Sequence, residues 1–310
     1  GASRSCWSLA WGLTEMAEPI SSFYGAGSPV FSFEFFPPKT DAGAENLMQT
    51  AADLKTSVEP DFISVTYGAG GSTRDRTHAV ITRIQDELGL TGLAHLTCVG
   101  STAEEIGAVV ARLEAAGVSN VLALRGDAPD GEEHFEATAG GFANATDLIG
   151  FLNEKHDVCI GAACYPEAHP EATSAEDDLR FARMKQDLGA SFLTTQLFFD
   201  CDLYWSFVER ARGAGITIPI VPGIMPVTNV AQVQRFTKMC GASLPEDLLG
   251  RLRPVKEDAG AVMATGIEYA ITQCRALLEG GAPGLHFYTL NRSTATREIY
   301  ANLGLGSTTA

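Results

Sequence analysis

Eight short apolar runs, each rich in β-branched or aromatic residues, recur along the 310 residues, at 30–36, 62–68, 93–99, 120–126, 159–165, 192–199, 218–224 and 285–291. Most are separated by amphipathic stretches with helical spacing, at 45–57, 73–88, 102–116 and 174–188. The last of these opens on Ser174-Ala-Glu-Asp, an N-cap followed by an acidic first turn. Two further helical lengths, 245–258 and 260–279, fill the gap between the seventh and eighth runs. A strand followed by a helix, repeated eight times, demands parallel strands joined by crossover helices. Eight such units in a chain of this length predict a (β/α)8 TIM barrel, a single α/β domain. The competing architecture, an open doubly wound sheet, carries a glycine-rich turn after its first strand. Here the first run ends Phe35-Phe36-Pro37-Pro38, without GxGxxG. No linker, low-complexity segment or repeat divides the chain, so residues 21–310 are expected to form one domain.

The polar residues that interrupt the apolar runs carry the functional information. In the first run Phe31, Phe33 and Phe35 alternate with Ser32 and Glu34. Side chains alternate faces along a strand, so phenylalanines packed outward on the helices place Ser32 and Glu34 inside the barrel. The same reasoning puts Ser64 and Thr66, His95 and Thr97, Arg125 and Asp127, and Thr194 and Gln196 at the C-terminal halves of their strands. Barrel active sites form at that face. An inward Ser or Thr on its own is usually filler, and a lone strand His is usually a bonded core residue. A buried carboxylate is different, because it is costly unless paired or protonated. Glu34, flanked in sequence by Phe33, Phe35 and Phe36, is expected to be desolvated, which raises a carboxyl pKa and leaves an acid able to donate a proton. Asp127, beside Arg125 at a loop start, sits in a different setting, and two acids in unlike settings imply different roles. Spacing alone leaves a glycosidase-like carboxylate pair open.

Composition narrows the partners. With 22 basic against 38 acidic residues the net charge is −16, yet only 19% of residues are charged, so the acidity reflects few bases. That argues against a nucleic-acid footprint and against adhesion to anionic membranes. An anionic substrate must be met by a few placed Lys or Arg residues. Seven cysteines with no CxxC pair and an odd count are expected to be free thiols in a reducing, cytoplasmic setting. No zinc-ligand spacing appears among Cys and His, and no apolar run reaches the ~20 residues a membrane span needs. Residues 1–20 are set apart as an N-terminal extension. The short apolar stretch from Trp7 to Leu13, behind a single Arg, mimics a signal peptide only weakly, and it is taken as sequence upstream of Met16.

The segment Phe31-Ser-Phe-Glu-Phe-Phe-Pro-Pro-Lys39 resembles the opening signature of methylenetetrahydrofolate reductases. The resemblance continues through Val65-Thr-Tyr-Gly-Ala-Gly-Gly-Ser-Thr-Arg-Asp-Arg-Thr77, His95-Leu-Thr-Cys98 and Leu124-Arg-Gly-Asp127. It extends further through Tyr165-Pro-Glu-Ala-His-Pro170, Thr195-Gln-Leu-Phe-Phe-Asp200, Pro222-Gly-Ile-Met-Pro226 and His286-Phe-Tyr-Thr-Leu-Asn-Arg292. Motifs in the same order from about residue 30 to 305 make the likeness specific.

The resemblance implies a barrel that binds FAD and takes hydride from NADH or NADPH in a ping-pong sequence. It would reduce 5,10-methylenetetrahydrofolate to 5-methyltetrahydrofolate, or run the reverse oxidation, within one-carbon metabolism and methionine biosynthesis. It also implies a homo-oligomer. Glu34 matches the family's general acid, and Asp127 the aspartate near flavin and pterin. Gln196 matches a residue that touches both folate and nicotinamide, and Gln232, Phe236 and Arg292 match substrate-side positions, Phe236 by stacking. Thr66 matches a nicotinamide-side contact, and Tyr67, Ala69, His95, Arg125, Gly126, Asp127, Tyr165, His169, Ala172, Asp178 and Lys185 match flavin positions. Arg125, His169 and Lys185 are expected to be available for the diphosphate. Asn144 and Ala145 fall where relatives surround the FAD diphosphate and adenosine. Bacterial relatives often carry Tyr, Asn and Arg where this chain has Asn144, Phe181 and Met184, which keeps a flavin-free reductase open as a variant. A non-catalytic folate-binding subunit is disfavoured by the joint presence of Glu34, Asp127 and Gln196. Another flavin barrel, such as a proline dehydrogenase, is disfavoured by the Phe-Glu-Phe-Phe-Pro-Pro segment. Because the chain stops after the barrel, no control by adenosylmethionine through an appended domain is expected.

Overall fold

A computed structural model describes residues 16–67, 74–128 and 135–305. After a short helix α1 (Ile20–Phe23), strands and helices alternate: β1 (Val30–Phe35), α2 (Asp41–Val58), β2 (Phe62–Val65), α3 (Arg74–Leu88), β3 (Thr91–Thr97), α4 (Ala103–Ala115), β4 (Asn120–Leu124) and α5 (Ala145–Lys155). The second half follows with β5 (Cys159–Cys164), α6 (Ala175–Asp187), β6 (Phe192–Thr195), α7 (Cys201–Gly213), β7 (Ile220–Val221), β8 (Gly223–Ile224), α8 (Val230–Cys240), α9 (Glu246–Leu252), α10 (Ala259–Glu279), β9 (Gly284–Tyr288) and α11 (Thr294–Asn302).

All strand pairs are parallel, in the order β7-β6-β5-β4-β3-β2-β1-β9-β8. The two ends of that order are halves of one strand. β7 pairs with β6, β8 pairs with β9, and only Pro222 separates them. Proline has no N–H to give the ladder, but its carbonyl still accepts from the His286 amide at 3.0 Å. Eight strand positions therefore close into the expected (β/α)8 barrel.

Several predicted strands overrun the observed ones at their C-terminal ends. Residues 197–199 show why. Leu197, Phe198 and Phe199 stay buried after the chain has left the ladder. Gln273 on α10 donates to the Phe198 carbonyl and Tyr269 to that of Phe199, both at 2.8 Å. Burial continues there without strand pairing, and periodicity alone does not separate the two.

Phe31, Phe33 and Phe35 pack in the outer core with Leu47 and Leu54 of α2 and Ile299 and Tyr300 of α11. Phe33 stacks on Phe287 at 5.4 Å, and Phe31 meets Tyr300 edge-on at 5.1 Å. Inside the barrel, Val30, Phe62, Leu93, Leu122 and Phe192 form a separate apolar cluster with Ile20. The chain reaches this floor along β4: Ala17 N–H donates to the Gly117 carbonyl, Ser119 Oγ to that of Ala17, and Ile20 N–H to Asn120 Oδ1. Residues 17–20, grouped with the extension on sequence grounds, are thus docked on the barrel; residues 1–15 lie outside the described part. No helix among the described residues is long and apolar enough to cross a membrane.

Candidate active site

Two residues beyond the floor layer, the barrel interior becomes polar. Val30 gives way along β1 to Ser32 and then Glu34, all on one face. Ser32 pairs in register with His286 of β9, and their Oγ and Nδ1 atoms lie 2.7 Å apart. The opposite ring nitrogen of His286 stands 3.4 Å from Glu34 Oε2, and His95 Nε2 of β3 stands 3.4 Å from the same oxygen. One carboxylate therefore sits between two imidazoles. The strand end that carries it is pinned. Thr289 donates through its N–H and Oγ1 to the Glu34 carbonyl, and Asn291 bonds both the N–H and the C=O of Phe36. Leu290 and Asn291 adopt left-handed φ values of 52° and 60° to make this turn.

This geometry corrects the expected protonation. Phe33 and Phe35 face the outer core, so the neighbours of the Glu34 carboxyl are His95, His286 and Tyr288. Burial still pushes the carboxyl up, as expected. The attraction of His95 as it protonates in the acid range, with the hydrogen bond and charge of His286, outweighs it and holds Glu34 below the usual carboxylate range. Burial drives His95 down to about 4, so its ring is neutral at neutral pH. Tyr288, missed by sequence reasoning, is half-buried and donates to the Thr195 carbonyl at 2.7 Å. Burial and the Glu34 charge push its phenol well above the ordinary value. Ser64 Oγ and His95 Nε2 are buried and have no hydrogen-bond partner among the described residues, a state proteins tolerate rarely outside sites of function.

A second cluster gathers on the rim beyond β4 and β5. Gly126 has φ 87°, and a Cβ there would stand 2.5 Å from Val99 Cγ2, so only glycine fits. Beside it Arg125 makes a two-pronged bond to Glu171, at 2.6 and 2.9 Å. Tyr165 and His169 meet edge to face at 4.7 Å. His169 Nδ1 accepts from the Glu171 N–H, and the His169 N–H donates to Asp178 Oδ2. Ala172 N–H closes the turn onto the His169 carbonyl. Lys185 Nζ donates to the Ala163 carbonyl at 2.7 Å. Burial lowers His169 and Lys185 and raises Asp178, whereas the Glu171 bond raises Arg125. Asp127 is exposed and acts electrostatically on both Tyr165 and Arg125. The three cations expected to be available are therefore engaged: Arg125 by Glu171, Lys185 by a backbone carbonyl, and His169 shifted toward its neutral form. Glu171 carried no signal in the sequence that marked it as Arg125's partner.

Asn144 caps α5, its side-chain oxygen accepting from the Asp147 N–H and Thr146 Oγ1; Ala145 follows it, buried. Arg180 lies over the Phe181 ring at 4.7 Å and reaches the Met184 sulfur. Thr66 and Tyr67 are half-buried beyond β2, with the Thr66 N–H bonded to the Phe35 carbonyl; Ala69 lies outside the described residues. Gln196 is half-buried beyond β6, its Oε1 accepting from the Leu197 N–H. Gln232 and Phe236 ride on α8, and Arg292 is exposed beyond β9.

The sequence profile of the family described as methylenetetrahydrofolate reductase matches residues 20–304. This chain belongs to that family. The 5,10-methylenetetrahydrofolate reductase of Escherichia coli is 38% identical over 274 residues, covering 88% of this chain and 90% of that protein. Methylenetetrahydrofolate reductase (NADH) 1 of Arabidopsis thaliana is 40% identical over 302 residues, covering 94% of this chain. The chain spans about half, 51%, of that plant relative's length. Among solved structures, an uncharacterized Clostridium thermocellum protein that binds two copies of 5-methyl-5,6,7,8-tetrahydrofolic acid superposes with a TM-score of 0.63 at 15% identity. The match covers 93% of this chain and 97% of that one, a likeness of fold.

Proposed function

We propose that this member of the methylenetetrahydrofolate reductase family interconverts 5,10-methylenetetrahydrofolate and 5-methyltetrahydrofolate, using a reduced nicotinamide nucleotide and FAD. The observation that carries the reading is Glu34, bonded to His286 and facing His95 at the barrel mouth, on a strand end locked by Thr289 and Asn291. The rim suits a flavin nucleotide in its chemistry. It offers one guanidinium, two rings edge to face, and buried polar atoms at Ser64 and His95 that still need partners. Bound FAD supplies a two-electron carrier between the nicotinamide and the folate one-carbon unit. Arg125 would hold its diphosphate once Glu171 lets go, with Tyr165 and His169 flanking it and Asp127 at the pterin side. NADH, which the plant relative's name specifies, is the donor to test first.

Glu34 Oε2 is the atom that handles the proton. Its side chain is 11% exposed, so a ring system laid over the mouth removes the last water from the carboxylate and raises its proton affinity. His286, backed by Ser32 Oγ, orients that oxygen. Donation to the folate amine then opens the methylene bridge. Gln196, Gln232, Phe236 and Arg292 orient the pterin and its tail. The six described cysteines, Cys98, Cys159, Cys164, Cys201, Cys240 and Cys274, are free thiols, as suits a reducing cytoplasm.

The test separates the half-reactions. Glu34→Gln should cut folate reduction by roughly 10²–10⁴-fold, the usual worth of a general acid, while nicotinamide oxidation with a flavin-accepting dye survives. Equal loss of both rejects the acid role. A flavin-free reductase is the second reading, favoured by the engagement of Arg125 and by Phe181 and Met184 on α6. Purified protein that is colourless, cannot be reconstituted with FAD and still reduces the folate selects it.

A further inference from the structure

The loop between β5 and α6 supplies Tyr165 and His169 to the rim, but Glu167 between them faces elsewhere. Its carboxylate accepts the Ser243 N–H on both oxygens, at 3.0 and 3.1 Å, and the Ser243 hydroxyl at 2.5 Å. Ser243 lies in the connection that follows α8. The contact around this strap is tight. Ala168 holds a left-handed φ of 72°, and Gly241, the α8 C-cap, has φ 74° with Pro170 only 3.1 Å from where a Cβ would stand. Tyr165, Glu167, Gln196, Cys240 and Ala242 line one crevice, so strap, flavin-side ring and substrate-side amide meet there.

The two elements joined by the strap are anchored unequally. The loop is fixed independently, by the Arg125–Glu171 fork, the His169–Asp178 bond and the Ala172–His169 turn. Helix α8 belongs to a small satellite core with Leu197, Met225, Val227 and Leu248, separate from the main one. It carries Gln232 and Phe236.

We infer that Glu167 is a positioning residue that ties the substrate helix α8 to the flavin-side loop and so sets Phe236 and Gln232 over the folate. The inference rests on the folate reading above. Hydrogen bonds to a charged group contribute more than neutral ones, and two donors converge here, the N–H shared between both oxygens and the hydroxyl.

Hydrogen–deuterium exchange on purified ligand-free protein tests the strap without reference to activity. Glu167→Ala should raise exchange across residues 230–240 by about tenfold and leave α6 unchanged. In steady state the same variant should raise the KM for methylenetetrahydrofolate about tenfold, with the nicotinamide–dye half-reaction intact. Ser243→Ala, which keeps the backbone bonds, should give a smaller change in the same direction, and Glu167→Gln should recover part of the loss. Unchanged exchange in 230–240, or equal damage to both half-reactions, overturns the proposal. If the wild type neither binds nor turns over the folate, the functional reading falls, while the exchange result still judges the strap.

Discussion

The floor and the mouth of this barrel are built from the same strands a few residues apart, and they obey opposite rules. At the floor, Val30, Phe62, Leu93, Leu122 and Phe192 close on Ile20 in a buried apolar cluster. At the mouth, Ser32, Glu34, Ser64, His95 and His286 fill the same cross-section with polar atoms, two of them without a partner. Packing accounts for the floor completely. It does not account for the mouth, where burying a carboxylate and two imidazoles costs stability that apolar residues would have kept. The difference locates where the fold has been spent on chemistry.

The contrast can be tested by moving stability at one end and activity at the other. The largest stability effect is expected at the floor. Phe62→Ala removes a fully buried ring and should cost about 3–5 kcal/mol in denaturant unfolding, while the KM for folate of the folded fraction stays unchanged. A shift in KM would show that the two layers are coupled.

The mouth should instead show itself in pH. His95 has a folded value of about 4, below its ordinary 6.5. The fold favours the neutral ring, so this contribution is fully present above pH 6.5 and is lost as pH falls toward 4. Glu34 is also lowered, and its contribution likewise fades on the acid side. Because His95 is 5% exposed, the loss should reach roughly 3 kcal/mol at about 1.4 kcal/mol per pH unit. Thermal melts across that range should be flatter for His95→Gln than for wild type. Parallel curves would remove His95 from the acid limb.

The smallest effect belongs to neither layer. Arg83 on α3 bonds Glu45 and Glu87 on the outer wall, with partners 69% and 50% exposed. Arg83→Met should change stability by under about 1 kcal/mol, and less at high salt. A larger change would mean that surface pairs, not the two interior layers, dominate the balance.

Much of this was legible in the sequence because strand alternation is a strict rule. Phe31, Phe33 and Phe35 against Ser32 and Glu34 announced both the outer core and the inward carboxylate. The error about Glu34 came from the same segment: residues adjacent in sequence lie on opposite faces, so the flanking phenylalanines never touch the carboxyl. Its true neighbours, His95 and His286, come from β3 and β9 and meet it only when the barrel closes. Glu171 and Glu167 were illegible for a related reason. Both sit in an irregular loop, where no period tells which way a side chain points, and their partners are a residue beyond β4 and a serine beyond α8.

Everything proposed for the mouth turns on Glu34 and the two imidazoles beside it. Difference infrared spectroscopy of ligand-free wild type against Glu34→Gln reads the state of that one carboxyl directly. A carboxylate at neutral pH that protonates only below the ordinary glutamate range is expected. A protonated carboxyl at neutral pH, the state that burial alone would produce, would contradict it.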